Sequence, residues 1–258
     1  MPELPDLEAY RRNLERHILH KQVVAATVHK PGRVNAAQQE FDGLASARIV
    51  ALKRNGKEMW LEFDNGRLLA VHLMLEGKIE IVAPDEEVRF QIFSLEFSDA
   101  TLVVSDRRGW ARITLDPKMP PSPDALAPGF SFEYFRDKLQ EAKSKSIKAF
   151  LIDQEIVRGI GNAYSDEILW EAKIAPESIA SHLPEEVIRS LYETIRMVLL
   201  RSVEEILAID PEVINGEIRD FMRVHHKEKE TSPGGFPIKT KKIATKKSYF
   251  TEEQVLYR

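Results

Sequence analysis

The chain has no cysteine among its 258 residues, which excludes disulfides, thiol nucleophiles and every zinc or iron site built on thiolates. No metal site is expected, and no cofactor motif is present, so any chemistry must run on other side chains or on the backbone. Long apolar runs are missing too. The longest, LLAVHLML at 68–75, falls far short of the roughly 20 residues that span a bilayer. The opening MPELPDLEAY is acidic and broken by prolines, where an export signal would be basic and then apolar. No membrane partner is expected, and the expected location is the cytoplasm, with nucleoid association in a bacterial source. Net positive charge is also lacking: 37 basic and 41 acidic residues leave −4, which by itself argues against a nucleic-acid partner. What is plentiful is apolar material. At 43% hydrophobic the chain can bury one large core or two medium ones.

The mean charge hides an asymmetry. Between Arg223 and Phe250 eight lysines and arginines face two glutamates, a local +6, so the other 230 residues carry −10. A basic stretch on an acidic body is the footprint of a surface that neutralises phosphates while the body stays soluble. A solvated, partly disordered tail has the same composition.

Periodicity divides the chain. Leu7, Tyr10, Leu14 and Ile18 fall on one helical stripe, preceded by Pro5 and by acids suited to a helix N-terminus, so the chain opens with an amphipathic helix. From Val23 to about Leu115 short β-branched and aromatic runs alternate with turn signals such as Asp64-Asn65-Gly66, the pattern of a β-sandwich or barrel. The stretch at 116–129 holds five of the fourteen prolines and reads as a linker. Helical periodicity follows at 132–142, 146–156, 163–173 and 184–207, the last with Val187, Leu191, Ile195, Val198 and Leu199 as its buried stripe. Near the end, IKTKKIATKKSYF contains two short β-like runs able to pair as a hairpin.

Three groups of residues can carry chemistry. Removal of Met1 would free the secondary amine of Pro2, and an α-amine titrates about two units or more below lysine, so a useful fraction is neutral and nucleophilic near pH 7. With Met1 attached, the same nitrogen is an amide and offers nothing. Glu3 lies one residue away and has the chemistry of a general acid. Pro2 and Pro5 could equally do no more than stiffen the approach to the helix. The second group is the glycine-rich turn Gly159-Ile160-Gly161-Asn162 between two apolar helices, which suits a phosphate cradle or a plain helical hairpin. The third is a set of cations on β-like segments: Lys57, His72, and Arg107-Arg108 before Gly109-Trp110. Each is suited to a phosphate or base edge, with Trp110 able to stack, and each also fits an ordinary surface or core position.

Together these residues resemble the Fpg/Nei family of DNA glycosylase/AP lyases. The start MPELPDLE is similar to the family's M-P-E-L-P-E-V-E. Arg54-Asn55-Gly56-Lys57 resembles R-R-G-K, and His72-Leu73-Met74-Leu75-Glu76-Gly77 resembles H-L-G-M-S-G. Ile147-Lys148, Asp153-Gln154 and Gly159 to Glu167 resemble its helix-two-turn-helix core. The matches run in order over nearly the whole chain. The resemblance implies an α+β fold in four parts. An N-terminal catalytic β-sandwich with an opening helix occupies 1–115 and a linker 116–130. A helix-two-turn-helix DNA-binding domain follows at 131–222, then a basic finger hairpin and tail at 223–258. It implies a monomer that binds damaged double-stranded DNA between its domains and excises oxidised bases through an N-terminal Schiff base, in base excision repair. Carried over by position, Pro2 is the nucleophile and Glu3 the acid that assists sugar opening. Lys57 touches the phosphate beside the lesion and handles the β-elimination proton as a catalytic residue, Lys148, Gly161 and Asn162 grip the backbone, Arg107 enters the space left by the flipped base, and His72, Arg108 and Trp110 face DNA.

The departures narrow this. With no cysteine, the family's zinc finger must be a zincless hairpin. The finger arginine is absent, and Lys246 is the nearest replacement in its catalytic role, with Lys247 beside it on the DNA, although a lysine lacks the bidentate fork. The void-filling methionine is Leu75, and R-R-F-G reads Arg107-Arg108-Gly109-Trp110. Pro211 to Val224 is short for a loop covering flipped 8-oxoguanine, so oxidised pyrimidines or formamidopyrimidines are the favoured substrates. A relative that has lost catalysis and only binds damaged or abasic DNA is the alternative. An unrelated β-sandwich joined to a helical bundle would follow only if the terminal motif were accidental.

Overall fold

A computed structural model of the chain describes residues 1–84 and 86–258, which group into two compact units. The first comprises Met1–Met119 and Ile206–Glu217. Its opening helix α1 (Leu4–Ile18) forms because Leu7, Tyr10, Leu14 and Ile18 share one wholly buried face. A reciprocal capping box closes its start: the Glu3 side chain accepts from the Asp6 N–H, and the Glu3 N–H donates to Asp6 Oδ2 at 2.8 Å. Pro5 sits in the first turn, where no N–H is needed.

Two four-stranded antiparallel sheets follow. One has the order β1 (Ala25–Val28), β6 (Gln91–Glu96), β7 (Thr101–Ser105), β5 (Lys78–Val82). The other runs β2 (Ile49–Asn55), β3 (Glu58–Phe63), β4 (Leu68–His72), β8 (Arg112–Leu115). A short helix α2 (Gln38–Asp42) buries Phe41 against Phe93, ring centroids 5.2 Å apart. The β2–β3 turn is tight because Gly56 takes φ +62°, and it presents Lys57. Strand β8 is too short and too mixed to be read from sequence. Its free edge is covered by residues 34–35: Val34 bridges Ile113 in parallel, and the Asn35 amide makes both hydrogen bonds to the Leu115 backbone, at 2.9 and 2.7 Å.

The second unit comprises Pro120–Glu205 and Ile218–Arg258. It contains α3 (Phe132–Glu141), α4 (Ile147–Leu151), α5 (Asn162–Glu171), most of α6 (Glu185–Ile209), and a hairpin of β9 (Lys239–Ile243) and β10 (Lys246–Phe250). Ser131 and Ser146 cap α3 and α4. Phe130, Phe135, Phe150 and Tyr192 pack as an aromatic core with ring centroids 5.4 to 6.1 Å apart.

Several expectations change. The helix expected at 146–156 stops at Leu151, because Asp153 caps the next turn through the Glu155 N–H and takes an ion pair from Lys145 at 2.7 Å. On α6 it is Ile188, not Val187, that is buried at the start of the stripe. Residues 206–217, expected within the helical domain, group with the first unit. Asn13 of α1 donates to Val213 O at 2.9 Å, and the Tyr10 hydroxyl donates to Gly216 O. The basic tail is folded rather than solvated: Ser248, Thr251 and Gln254 are buried, and the last residues lie along 173–179 through Ala175 N–H to Val255 O and Ile179 N–H to Tyr257 O. No helix among the described residues is long and apolar enough to cross a membrane.

Because the capping box fixes the start of α1, Asp6→Ala is expected to lower stability by about 1 kcal/mol, read as a reduced urea midpoint at unchanged slope. An unchanged midpoint would show that the box contributes nothing.

Candidate functional site

In the first unit the N-terminal residues meet a cavity of about 610 Å³. Pro2, Leu75, Glu76, Arg107, Gly216 and Glu217 are among its lining. Pro2 is buried, and the Met1 amine pairs with Glu217. Glu3, 4% exposed, is the residue that caps α1, so its carboxylate has a fixed position beside Pro2. The 213–217 segment is held over this region by α1 and by Asn215, whose amide reaches Ile79 O at 3.4 Å. Sequence reading missed Gly216 and Glu217, which carry no motif and are brought here only by the packing of 206–217.

Arg107 and Arg108 converge on one carboxylate. Glu76 takes Arg108 at 2.6 Å and Arg107 at 3.4 Å, while the Arg108 guanidinium also lies 5.3 Å from the Trp110 ring centre. The loop carrying them is shaped by buried Asp106, which accepts N–H bonds from Arg108, Trp110 and Ala111 at 2.9, 2.6 and 2.8 Å. Burial pushes the Asp106 carboxyl up, but these backbone donors outweigh it and hold it below the usual range. Gly109 closes the loop at φ +64°, a conformation that favours glycine, with the Lys30 ammonium lying against it. Trp110 is partly exposed, as a stacking residue requires. His72 ends β4 and is half-exposed, not a core histidine. Its Nδ1 accepts from the Met74 N–H at 2.9 Å, which leaves Nε2 to carry the proton of the neutral ring. Lys57 is 8% exposed at the β2–β3 turn.

In the second unit the glycine-rich turn lies between α4 and α5. Gly159 has φ +104° and Gly161 is the N-cap of α5. Gln154 knits the turn, donating to Ile152 O and Ile160 O and accepting from the Gly159 N–H. The Asn162 amide, expected to face a phosphate, donates to Lys247 O at 3.0 Å and so ties the turn to the hairpin. Lys148, expected at the DNA surface, is wholly buried and ion-paired with Asp166. The reason is electrostatic: Asp166 is itself wholly buried, and an unpaired carboxylate there would be costly.

Asp166 and its neighbour Glu167 were read only as part of a motif, yet they hold the hairpin. Asp166 Oδ2 accepts from His225 Nδ1 at 2.7 Å and from the Tyr249 N–H at 3.0 Å. Glu167 accepts three backbone N–H bonds, from Arg223, Val224 and His225, at 2.7 to 2.8 Å. Burial nonetheless raises its carboxyl above the ordinary value. Glu253 forms a third anchor, taking Trp170 Nε1, Ser232 Oγ, Thr251 Oγ1 and Lys173 Nζ at 2.6 to 3.0 Å. Burial alone would push this carboxyl up, but those donors outweigh it and lower it to about 2. Lys246 and Lys247 stand exposed on β10, with Lys247 over the Tyr249 ring at 4.9 Å. Among the described residues no cluster of three or more metal-ligating side chains occurs.

Comparison with known proteins matches both halves of the chain. Residues 1–113 match the model of the formamidopyrimidine-DNA glycosylase N-terminal domain, and residues 122–210 match the H2TH domain of the same family. A formamidopyrimidine-DNA glycosylase of Carboxydothermus hydrogenoformans is 36% identical over 210 residues, covering 79% of this chain and 78% of that protein. The Lactococcus lactis formamidopyrimidine-DNA glycosylase bound non-covalently to DNA containing an AP site superposes with a TM-score of 0.86 at 28% identity, over 98% of this chain and 99% of that one. Its complex with Fapy-dG-containing DNA does so with 0.86 at 27%, over the same shares.

The depressed Glu253 carboxyl fixes a sign. Its folded value lies below the unfolded value near 4.3, so its contribution is complete above that pH and drains as pH falls toward about 2. Glu253→Gln is expected to lose about 1–3 kcal/mol at neutral pH, with the gap to wild type closing across that acid window in urea titrations. A gap independent of pH would contradict the assignment.

Proposed function

The chain belongs to the formamidopyrimidine-DNA glycosylase family and is a DNA glycosylase of base excision repair; on that premise we propose that the amine of Pro2, freed by removal of Met1, is its nucleophile. The reading rests on Pro2 lining the 610 Å³ cavity of the first unit, fixed at the head of α1 by the Glu3–Asp6 box. The amine attacks C1′ of a damaged nucleotide, the glycosidic bond breaks, and the base departs. The resulting iminium keeps the opened sugar attached to the protein, and β-elimination then cuts the strand, giving AP lyase activity. Glu3 is suited to deliver the proton that opens the sugar, because its carboxylate is buried and fixed beside Pro2. No cofactor is needed, since an amine alone supplies the Schiff-base chemistry.

Target nucleotides in a duplex are stacked, so the substrate must be flipped into the cavity. Lys57, largely buried at the β2–β3 turn, and His72 through Nε2 are the phosphate contacts of this reading. Arg107, Arg108 and Trp110 form the loop that fills the vacated space. Glu76 holds both arginines, and engagement of DNA by either requires Glu76 to release it. Gly161 and Lys246–Lys247 supply backbone and lysine donors from the second unit, whereas Lys148 and Asn162 act as positioning groups that brace turn and hairpin. Formamidopyrimidines and oxidised pyrimidines are the proposed lesions, because 211–224 is short and its 213–217 part is bound to α1 instead of forming a long cover. The enzyme acts where the DNA is, in the cytoplasm.

Pro2→Gly is expected to reduce single-turnover base release by about 10²-fold or more while duplex affinity changes little. Unchanged base release would show that the secondary amine of the pyrrolidine ring is not required, since the variant still offers a primary α-amine.

A further inference from the structure

The first unit carries a second cationic feature, away from the Pro2 cavity. Val34 bridges Ile113 in parallel, so the residues before them, Arg33 and Arg112, stand next to each other. Both line one surface pocket of about 290 Å³ with Gly32, Val34, Asn35 and Thr114, and no acid contributes to its lining. Asn35 holds the pair in place by clamping both backbone groups of Leu115. On the other side of β8, Arg112 is the register partner of His72 on β4. Two arginines and a histidine therefore occupy one row across three neighbouring segments: Arg33, Arg112 and His72.

Like charges placed side by side repel, and a fold keeps them so only where an anion or water offsets the repulsion. Nearby carboxylates have partners of their own, among them Glu58, which comes next to the Met59–Val71 pair on β3 and accepts from Trp60 Nε1 at 3.1 Å. Asp106 is held by the backbone of its own loop, Glu76 by Arg107 and Arg108, and Asp116 by Arg67 at 2.7 Å. Among the described residues neither the Arg33 nor the Arg112 guanidinium makes a hydrogen bond or ion pair, although most arginines of this acidic body are paired. Lys30 adds a further positive charge beside Gly109.

We propose that Arg33 and Arg112 form a binding site for backbone phosphates, extending the His72 contact into a track along one DNA strand beyond the lesion. At about 4.8 Å per strand the row spans roughly 10 Å. A nucleic-acid strand carries a phosphate about every 3.4 Å of helix rise, so the row meets two or three of them in succession. The guanidinium fork suits such oxygens. This track rests on the DNA-glycosylase reading and adds to it contacts that no motif of the sequence announces.

Salt dependence tests it. The full chain and an Arg33→Gln/Arg112→Gln variant are titrated onto a duplex with a stable abasic-site analogue at several salt concentrations. Each lost phosphate contact flattens the slope of log Kobs against log salt by about 0.9, so the double variant should be flatter by about 1.8. Arg33→Lys/Arg112→Lys should retain the wild-type slope, because the charges remain. An unchanged slope in the glutamine variant, beside a wild type that binds and cleaves, overturns the track alone. Equal flattening in the lysine variant overturns it too, since lost charge is then not the cause. A wild type that neither binds nor cleaves damaged duplex overturns the glycosylase reading itself, and the track with it.

Discussion

The reciprocal hydrogen bonds between Glu3 and Asp6 are the constraint on which the site depends. An N-terminus is ordinarily the most mobile part of a chain, and a nucleophile placed there would lose its orientation. Here the first residues are instead the cap of a buried helix, so Pro2 inherits the order of α1. The same helix, through Tyr10 and Asn13, carries the 213–217 segment that completes the cavity wall. One short element thus fixes both the proposed nucleophile and part of the pocket it faces.

The second unit solves a different problem. A hairpin of two five-residue strands buries too little to fold by itself and needs a fastener. In this chain carboxylates take that place. Asp166 and Glu167 on α5 gather Lys148, His225, Tyr249 and the backbone of 223–225, while Glu253 gathers Trp170, Lys173, Ser232 and Thr251. These are charge-assisted bonds in poorly hydrated surroundings, where leaving any partner unpaired is costly. Lys148 therefore serves its buried ion pair, and the exposed positive charge falls to the lysines of the hairpin, Lys246 and Lys247 among them.

Much of this was legible in the sequence because it rests on local rules. The stripe of α1, the hairpin signal at Asp64-Asn65-Gly66 and the alternation of β9 and β10 each need only neighbouring residues to be read. The terminal motif fixed attention on Pro2 and Glu3 for the same reason. What escaped depends on contacts between distant segments. The burial of Lys148 follows from Asp166, eighteen positions away. The return of 206–217 to the first unit follows from Asn13 and Tyr10, some two hundred positions away. Arg33 and Arg112 look like scattered surface charges until Val34 and Asn35 are seen to cover the edge of β8.

The account stands on the identity of the atom that joins protein to sugar. Borohydride reduction of the protein mixed with damaged duplex, followed by nuclease trimming and peptide mass mapping, reads that atom directly. The expected product is a chain without Met1 whose deoxyribose remnant sits on the nitrogen of Pro2. A remnant on a lysine side chain, or no adduct from protein that lacks Met1, would contradict it.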